Sequence, residues 1–466
     1  MAQWEALSKK NALRLLALLL LLVIMTFPTP AGLSVQGQRA IAIFAMAILL
    51  WATGAIPLSV TGLLVMAALP VLGVMNEKMA YSLFGNPAVF FILGAFILAA
   101  AMMKTGLSMR LSLLVLERFG GSPKMLVAGV LLTSSSMAFF MPEHAVAAIL
   151  FPVVVDIASA LELEPLRSRY GALLFLSLAW GSVIGGIATL LGGARGPLAM
   201  GLLTEHYGTS ISFFYWILVA APMTFVLLAI CYALLLFFFR IDVKDVSKAR
   251  LVIHEELKEK GAFTKEERKV LAVMILTFLS WVFLSNRFGL ANIALLASVS
   301  LFVMGVIEWK DVEDYVNWGV ILMYGGAIAV GSALVSTGAV QWLVDIFLEN
   351  GTFTPLTFLL AFSFIAIFLT EGVSNAAVVA ILLPLGFGVG EALGINPVAT
   401  VFIIALPSGL AFIFPISSPP NAIAYSSGYY EVSDVIKPGL ILNIVSWITL
   451  VAMALLYWPM VGLSIA

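Results

Sequence analysis

The sequence predicts an all-α polytopic membrane protein of about eleven transmembrane helices plus two re-entrant hairpins, arranged as two repeats of inverted topology. Three observations carry this prediction. Of 466 residues, 62% are hydrophobic and only 11% charged, and mean hydropathy is +1.10, far outside the soluble range. Apolar runs follow one another along the chain, and several are too short to cross ~30 Å of hydrocarbon at ~1.5 Å of rise per residue. The two halves also match at one constant offset. A net charge of -1 gives no reason to expect nucleic acid. The single cysteine, Cys231, cannot form an internal disulfide and reads as a small packed hydrophobe.

Residues 1–36 read as an N-terminal helix. Its apolar run follows Lys9, Lys10 and Arg14 and ends in "TFPTPAG"; no cleavable signal peptide is evident, although a signal anchor shares the pattern. Residues 37–239 read as the first repeat, with a hairpin over 123–160 and a broken helix over 168–206. The hairpin is predicted because the runs 125–140 and 144–158 are short. The break is predicted because "GGIATLLGGARGP" (185–197) interrupts an apolar span. Residues 240–268 read as a solvated, amphipathic cytoplasmic connector carrying both signs of charge. Residues 269–466 read as the second repeat, with a hairpin over 354–390 and a broken helix over 396–425 around "FIFPISSPPNAIA". Residues 110–119, "RLSLLVLERF", read as a helix lying in the interface plane.

With two hairpins that enter and leave on one side, three basic groups fall on one face: Lys9, Lys10 and Arg14; Lys104, Arg110, Arg118 and Lys124; and the lysines and arginines of 240–269. The positive-inside rule makes that face cytoplasmic, with the N-terminus inside, the C-terminus outside and the chain in the cell (inner) membrane. The internal match is specific: Gly73-Val74 recurs as Gly305-Val306, Gly94-Ala95 as Gly326-Ala327, Thr105-Gly106 as Thr337-Gly338, and "EHAVAAILFP" (143–152) as "NAAVVAILLP" (375–384). Five spans per repeat, an odd number, give the copies opposite topology. Inverted repeats with broken helices mark secondary transporters with a midplane site. Glu143 and His144 then sit at one hairpin tip and Asn375 and Ala376 at the other. Non-helical backbone at that depth must line protein or a watery cavity.

Several segments resemble the divalent anion/sodium symporter family of dicarboxylate and sulfate transporters. They are "SGLAFIFPISSPPNAIAYSSG" (408–428), "TEGVSNAAVVAILLPL" (370–385), "GAFILAAAMMKTGLSMRLSL" (94–113) and "WATGAIPLSVTGLLVMAALPVLGV" (51–74). The resemblance runs in order from about residue 50 to 440. It implies a homodimer with a rigid scaffold and a transport domain that moves as an elevator. The substrate is implied to lie between two Ser-Asn-Thr tips, with sodium beside each tip.

This chain departs from that pattern. The second tip keeps Ser374 and Asn375 but has Ala376 for threonine, and the second break keeps Ser418, Pro419, Pro420 and Asn421. The first tip has Pro142, Glu143 and His144, and the first break has Gly193, Ala194, Arg195 and Gly196. Substrate-binding candidates are therefore Glu143, His144, Arg195, Ser374, Asn375, Ala376, Ser418, Pro419 and Asn421. Candidate sodium ligands are Ser374, Asn375, Ser418 and Glu143, since hard cations take oxygen donors; no other cofactor is expected.

Each candidate has a plainer reading. Arg195 could be a snorkelling residue near a span end, Glu143 its neutralising partner, His144 a hydrogen-bonded core residue and Glu371 a carboxylate capping hairpin backbone. The sharper expectation is a fixed cluster of Glu143, His144 and Arg195 where the first sodium would lie. A guanidinium that keeps its proton would then stand in for the metal, leaving sodium coupling reduced or replaced by exchange or protons. The alternative function is a cation/proton antiporter using Glu143 and His144; re-entrant hairpins also permit a channel, which paired inverted halves fit less well. An enzyme is not expected, since neither a zinc helix, nor G-x-S-x-G, nor a phosphate loop is present.

Overall fold

A computed structural model describes residues 2–348 and 353–465, with the side chains of 2–8 and 347–348 left out of account. Among the described residues the secondary structure is helical throughout, with twenty-two α-helices and no strand. Eight segments are long and apolar enough to cross a membrane: Val35–Thr53, Glu77–Lys104, Glu143–Ala160, Phe213–Phe238, Lys265–Phe288, Trp318–Ser336, Asn375–Ala392 and Val432–Val461. Two of these correct the length argument made from the sequence. Glu143–Ala160 and Asn375–Ala392 are 18-residue helices, about 27 Å long, not the shorter runs expected. Length alone therefore does not mark them as hairpin arms.

The helix boundaries repeat. Leu58–Val71, Leu107–Leu116, Pro123–Met137 and Glu143–Ala160 recur, at both ends, as Leu290–Val303, Ala339–Leu348, Pro355–Leu369 and Asn375–Ala392. The separation is that of Glu143 and Asn375, 232 residues. Turn chemistry repeats too. Gly73 and Gly305 have φ of 67° and 66°, and Gly106 and Gly338 have 77° and 74°, a left-handed conformation that only glycine adopts without strain.

The copies interlock. Leu58–Val71 packs along Trp318–Ser336, and its counterpart Leu290–Val303 packs along Pro87–Lys104. Small residues allow both approaches: a Cβ added to Gly326 would lie 2.4 Å from Gly62 Cα, and one added to Gly94 would lie 2.6 Å from Ala294 Cβ. Close backbone approach of this kind is how helices associate without a hydrophobic driving force between them.

The loops collect at two ends of the bundle. At one end the buried Arg110 donates to Glu267 at 2.8 Å and to the carbonyls of Lys260, Gly261 and Ala262. Lys104 pairs there with Asp311 at 2.6 Å, and Lys248 of the connector helix Ser247–Glu259 pairs with Glu162 at 2.6 Å. The basic joints 104–124 and 240–269 thus share an end. At the other, Trp342 Nε1 donates to Ala31 O at 3.1 Å and Asn396 N to Ile465 O at 2.9 Å. Cys231 is buried.

Candidate functional site: two tips and two breaks

Each tip opens a helix. Ser374 caps Asn375–Ala392, its Oγ accepting from Ala377 N at 3.3 Å. Pro142 holds the same place before Glu143–Ala160 and offers no hydroxyl; Glu143 instead brings a carboxylate into the first turn, where the helix dipole favours negative charge.

Each break frees backbone groups, and named partners take them up. The first break runs from the end of Arg169–Gly185 to the start of Arg195–Tyr207. Gly192 O accepts from Glu143 N at 2.9 Å, Ile187 O from Trp216 Nε1 at 3.2 Å, and Ala194 O from the Tyr324 hydroxyl. Thr189 Oγ1 returns a bond to Phe139 O at 2.8 Å. The glycines serve a close crossing, since a Cβ on Gly192 would lie 2.4 Å from Gly186 Cα.

The second break separates Pro397–Ala405 and its following turn Pro407–Gly409 from Pro419–Tyr425. Its freed backbone N–H groups converge on Glu371, which accepts from Phe412 N at 2.7 Å, Ile413 N at 3.1 Å and Phe414 N at 3.2 Å, and also from Asn443 Nδ2 at 2.7 Å. A carboxylate taking four such bonds is solvated by protein in place of water. Glu371 was expected to cap its own hairpin; it caps the neighbouring break. Asn421 Nδ2 donates to Ala411 O at 2.8 Å and Ser417 Oγ at 3.1 Å, and Ser418 caps the helix beyond.

The elements meet at Glu143. Arg195 Nη1 donates to Glu143 Oε2 at 3.2 Å, and Asn375 Nδ2 donates to Glu143 Oε1 at 3.3 Å. Repeat partners therefore touch, and one carboxylate joins the first tip, the first break and the second tip. Glu143 is 4% exposed and Arg195 3%, so Arg195 does not snorkel to an interface. Its guanidinium packs on the Pro407–Gly409 turn so closely that a Cβ on Gly409 would fall 2.1 Å from Nε. Nη2 is buried and has no hydrogen-bond partner among the described residues. Thr370 Oγ1 lies 2.8 Å from Asn375 Oδ1 and 2.7 Å from Ser408 O, tying the second tip to the turn under Arg195.

The remaining candidates fall around this centre. His144 is half-buried, and no hydrogen bond involves its ring among the described residues. Ala376 is buried and offers no polar side chain. Ser418 and Asn421 are buried and Pro419 exposed, and among the described residues no hydrogen bond joins them to Glu143, His144 or Arg195. No three His, Cys, Asp or Glu side chains gather as metal ligands among the described residues. The donors available to a hard cation at the second tip are hydroxyl and amide oxygens. At the first tip the guanidinium already stands against the carboxylate, so a bare metal ion added there would face a like charge.

Sequence reasoning missed Asn443, Tyr324, Gly409 and Thr189. A lone asparagine within the apolar run 438–463 was the available signal for the first; nothing local marked the others.

Fold and site together define a multi-pass membrane protein whose broken helices meet at a buried polar centre. The chain belongs to the family defined by the sodium:sulfate symporter transmembrane region, which matches residues 8–464 and bears out the resemblance read from the motifs. The sodium-dependent dicarboxylate transporter SdcS of Staphylococcus aureus strain bovine RF122 / ET3-1 is 28% identical over 469 aligned residues, covering 95% of this chain and 90% of that one. SdcS of strain USA300 is 27% identical over the same length. Among solved structures, Neisseria gonorrhoeae MtrF, of a class of antimetabolite efflux pumps, superposes with a TM-score of 0.52 at 14% identity, over 96% of this chain and 94% of that one; the likeness is one of fold alone.

Proposed function

We propose that this protein is a secondary active transporter of small divalent anions of the dicarboxylate or sulfate class, and not an enzyme. It works by elevator-type alternating access, in two inverted repeats with re-entrant hairpins at 123–160 and 354–390. Family membership and the SdcS relatives support the substrate class. The observation that carries the siting is the contact between repeat partners Glu143 and Asn375 at a buried polar centre. The shared end of the basic joints supports a cytoplasmic N-terminus and an outside C-terminus in the cell (inner) membrane. A homodimer is the expected assembly.

Sodium coupling is reduced on this reading. Arg195, 3.2 Å from Glu143, supplies a cation at the first tip that does not leave with a gradient. Ser374, Asn375 and Ser418 hold sodium at the second tip and break, so at most one sodium position remains, and exchange replaces the rest of the coupling. The ion pair also weighs against the cation/proton antiporter, which needs Glu143 unpaired. Uptake of labelled succinate and sulfate into proteoliposomes, with and without sodium and with anion loaded inside, tests the reading. Uptake that persists in part without sodium and is stimulated by internal anion is expected. Strict dependence on sodium, with no stimulation by internal anion, would overturn the reduced coupling. Stabilisation of the purified protein by cations and by no anion would overturn the substrate class.

A further inference from the structure

The charge at the tips narrows the substrate. Two acids and one base are buried there: Glu143, Glu371 and Arg195. Glu371 spends its charge on Phe412, Ile413, Phe414 and Asn443. Glu143 and Arg195 cancel each other. A dianion placed beside this pair meets no free positive charge from the protein, and burying it unpaired is costly. With one sodium at the second tip it would still leave the core more negative than the empty site.

The pair is neutral but strongly dipolar, and each end has capacity to spare. Arg195 Nη2 is buried and carries two N–H donors without an acceptor among the described residues. A carboxylate has about four lone-pair positions, and Glu143 takes one bond from Arg195 and one from Asn375. A ligand that matches both ends needs an anionic group for the guanidinium and a cationic donor for the carboxylate, close together on one small skeleton.

We propose that the preferred substrate is an amino dicarboxylate, a two-carboxylate acid bearing an ammonium group and a net charge of -1. Its ammonium donates to Glu143, the adjacent carboxylate accepts from Arg195, and the second carboxylate faces the Ser374–Asn375 tip. This rests on the anion-carrier reading and adds a third charge to the substrate. It assigns Glu143 as the residue that sets specificity between amino and simple dicarboxylates.

The test compares L-aspartate with succinate, which differ by the ammonium alone. Equilibrium binding to the purified full-length protein at fixed sodium should favour L-aspartate by roughly tenfold or more, the order expected when a site's buried polar group is left unpaired by one of two ligands. In Glu143→Gln the ratio should move toward succinate by a similar factor, because the amide keeps the shape and loses the charge. Wild-type protein that prefers succinate, or a folded Glu143→Gln that leaves the ratio unchanged, would overturn the proposal while leaving the carrier reading intact. If L-aspartate, succinate and sulfate all fail to bind, both readings fall. The wild-type ratio decides the matter even where the variant does not fold.

Discussion

Arg195→Gln is the most informative single change. It leaves Glu143 4% exposed, without its counter-charge and accepting from Asn375 Nδ2 at 3.3 Å. Stranding one partner of a buried pair costs about 3–5 kcal/mol. The contact is one N–H at 3.2 Å, not a bidentate fork, so the lower end applies, about 3 kcal/mol. Glu143→Gln strands Arg195 in the same way. The double variant, Glu143→Gln with Arg195→Gln, removes both charges and keeps two amides that can bond to each other. Replacing both members of a buried pair is often near neutral, so the double variant should lie within about 1 kcal/mol of wild type, a coupling of about 5 kcal/mol against the sum of the two single losses. The assay is built into the chain. Cys231 is the one cysteine of the sequence and is buried, so a fluorogenic maleimide reports unfolding directly. At roughly 2 °C per kcal/mol or less for a chain of this size, each single variant should melt about 3–6 °C below wild type and the double variant within about 2 °C of it. A double variant that melts as low as the worse single one would show that the pair does not hold the tips together.

Three further outcomes follow from named contacts. Glu371→Gln should cost about 2–4 kcal/mol, since three N–H groups lose a charged acceptor, and should lower the melting temperature more than Asn443→Ala, read by the same thiol assay. Gly326→Ala should destabilise by about 1–3 kcal/mol, because the new methyl meets Gly62 backbone at 2.4 Å, which cannot give way as a side chain would; Gly85→Ala, with open space around it, should not. Burial first, and then Asp156, raise the pKa of Glu256 in the connector helix above its ordinary value. The folded state therefore binds that proton more tightly than the unfolded chain. The resulting penalty is full above the folded pKa and is relieved as pH falls through it. Glu256→Gln should stabilise at pH 7 and above, and its advantage over wild type should shrink as the pH is lowered toward 4 in a melting series.

What the sequence made legible was whatever depends on local spacing. The interruption of apolar spans by "GGIATLLGGARGP" and "FIFPISSPPNAIA" located both breaks, because glycine and proline act on the backbone where they stand. The fixed offset of Gly73 and Gly305 marked the repeat, and both glycines stand at turns of positive φ, which restricts the residue that occupies them. Pairing of Glu143 with Arg195 was legible because both are too costly to bury alone. What stayed hidden depends on which element lies across the gap. Glu371 was read as serving its own hairpin, and it serves residues 412–414, some forty positions later. Gly409 could not be singled out, since its role is the absence of a Cβ under a guanidinium that only the tertiary structure brings there.

The two tips are alike in backbone and unlike in charge, and that difference bears on coupling. Apart from the bond from Asn375 to Glu143, the second tip is tied to its surroundings by neutral bonds, Thr370 to Asn375 and Ser408 and Ser374 to Ala377, while the nearby charge of Glu371 is spent on the break. An ion leaving that tip strips no side chain of its counter-charge. The first tip is tied by Glu143 and Arg195, and separating them would leave two buried charges unmet. On the proposed reading the first tip therefore stays closed through the cycle and the second does the opening, so that sodium, where it acts, acts at Ser374 and Asn375. Ser374→Ala should then abolish whatever sodium dependence of uptake the wild type shows and leave anion-for-anion exchange in place. Loss of exchange together with sodium dependence, in a variant that melts like wild type, would show that the Ser374 hydroxyl is needed for anion movement as well as for sodium, and would remove the distinction between the tips.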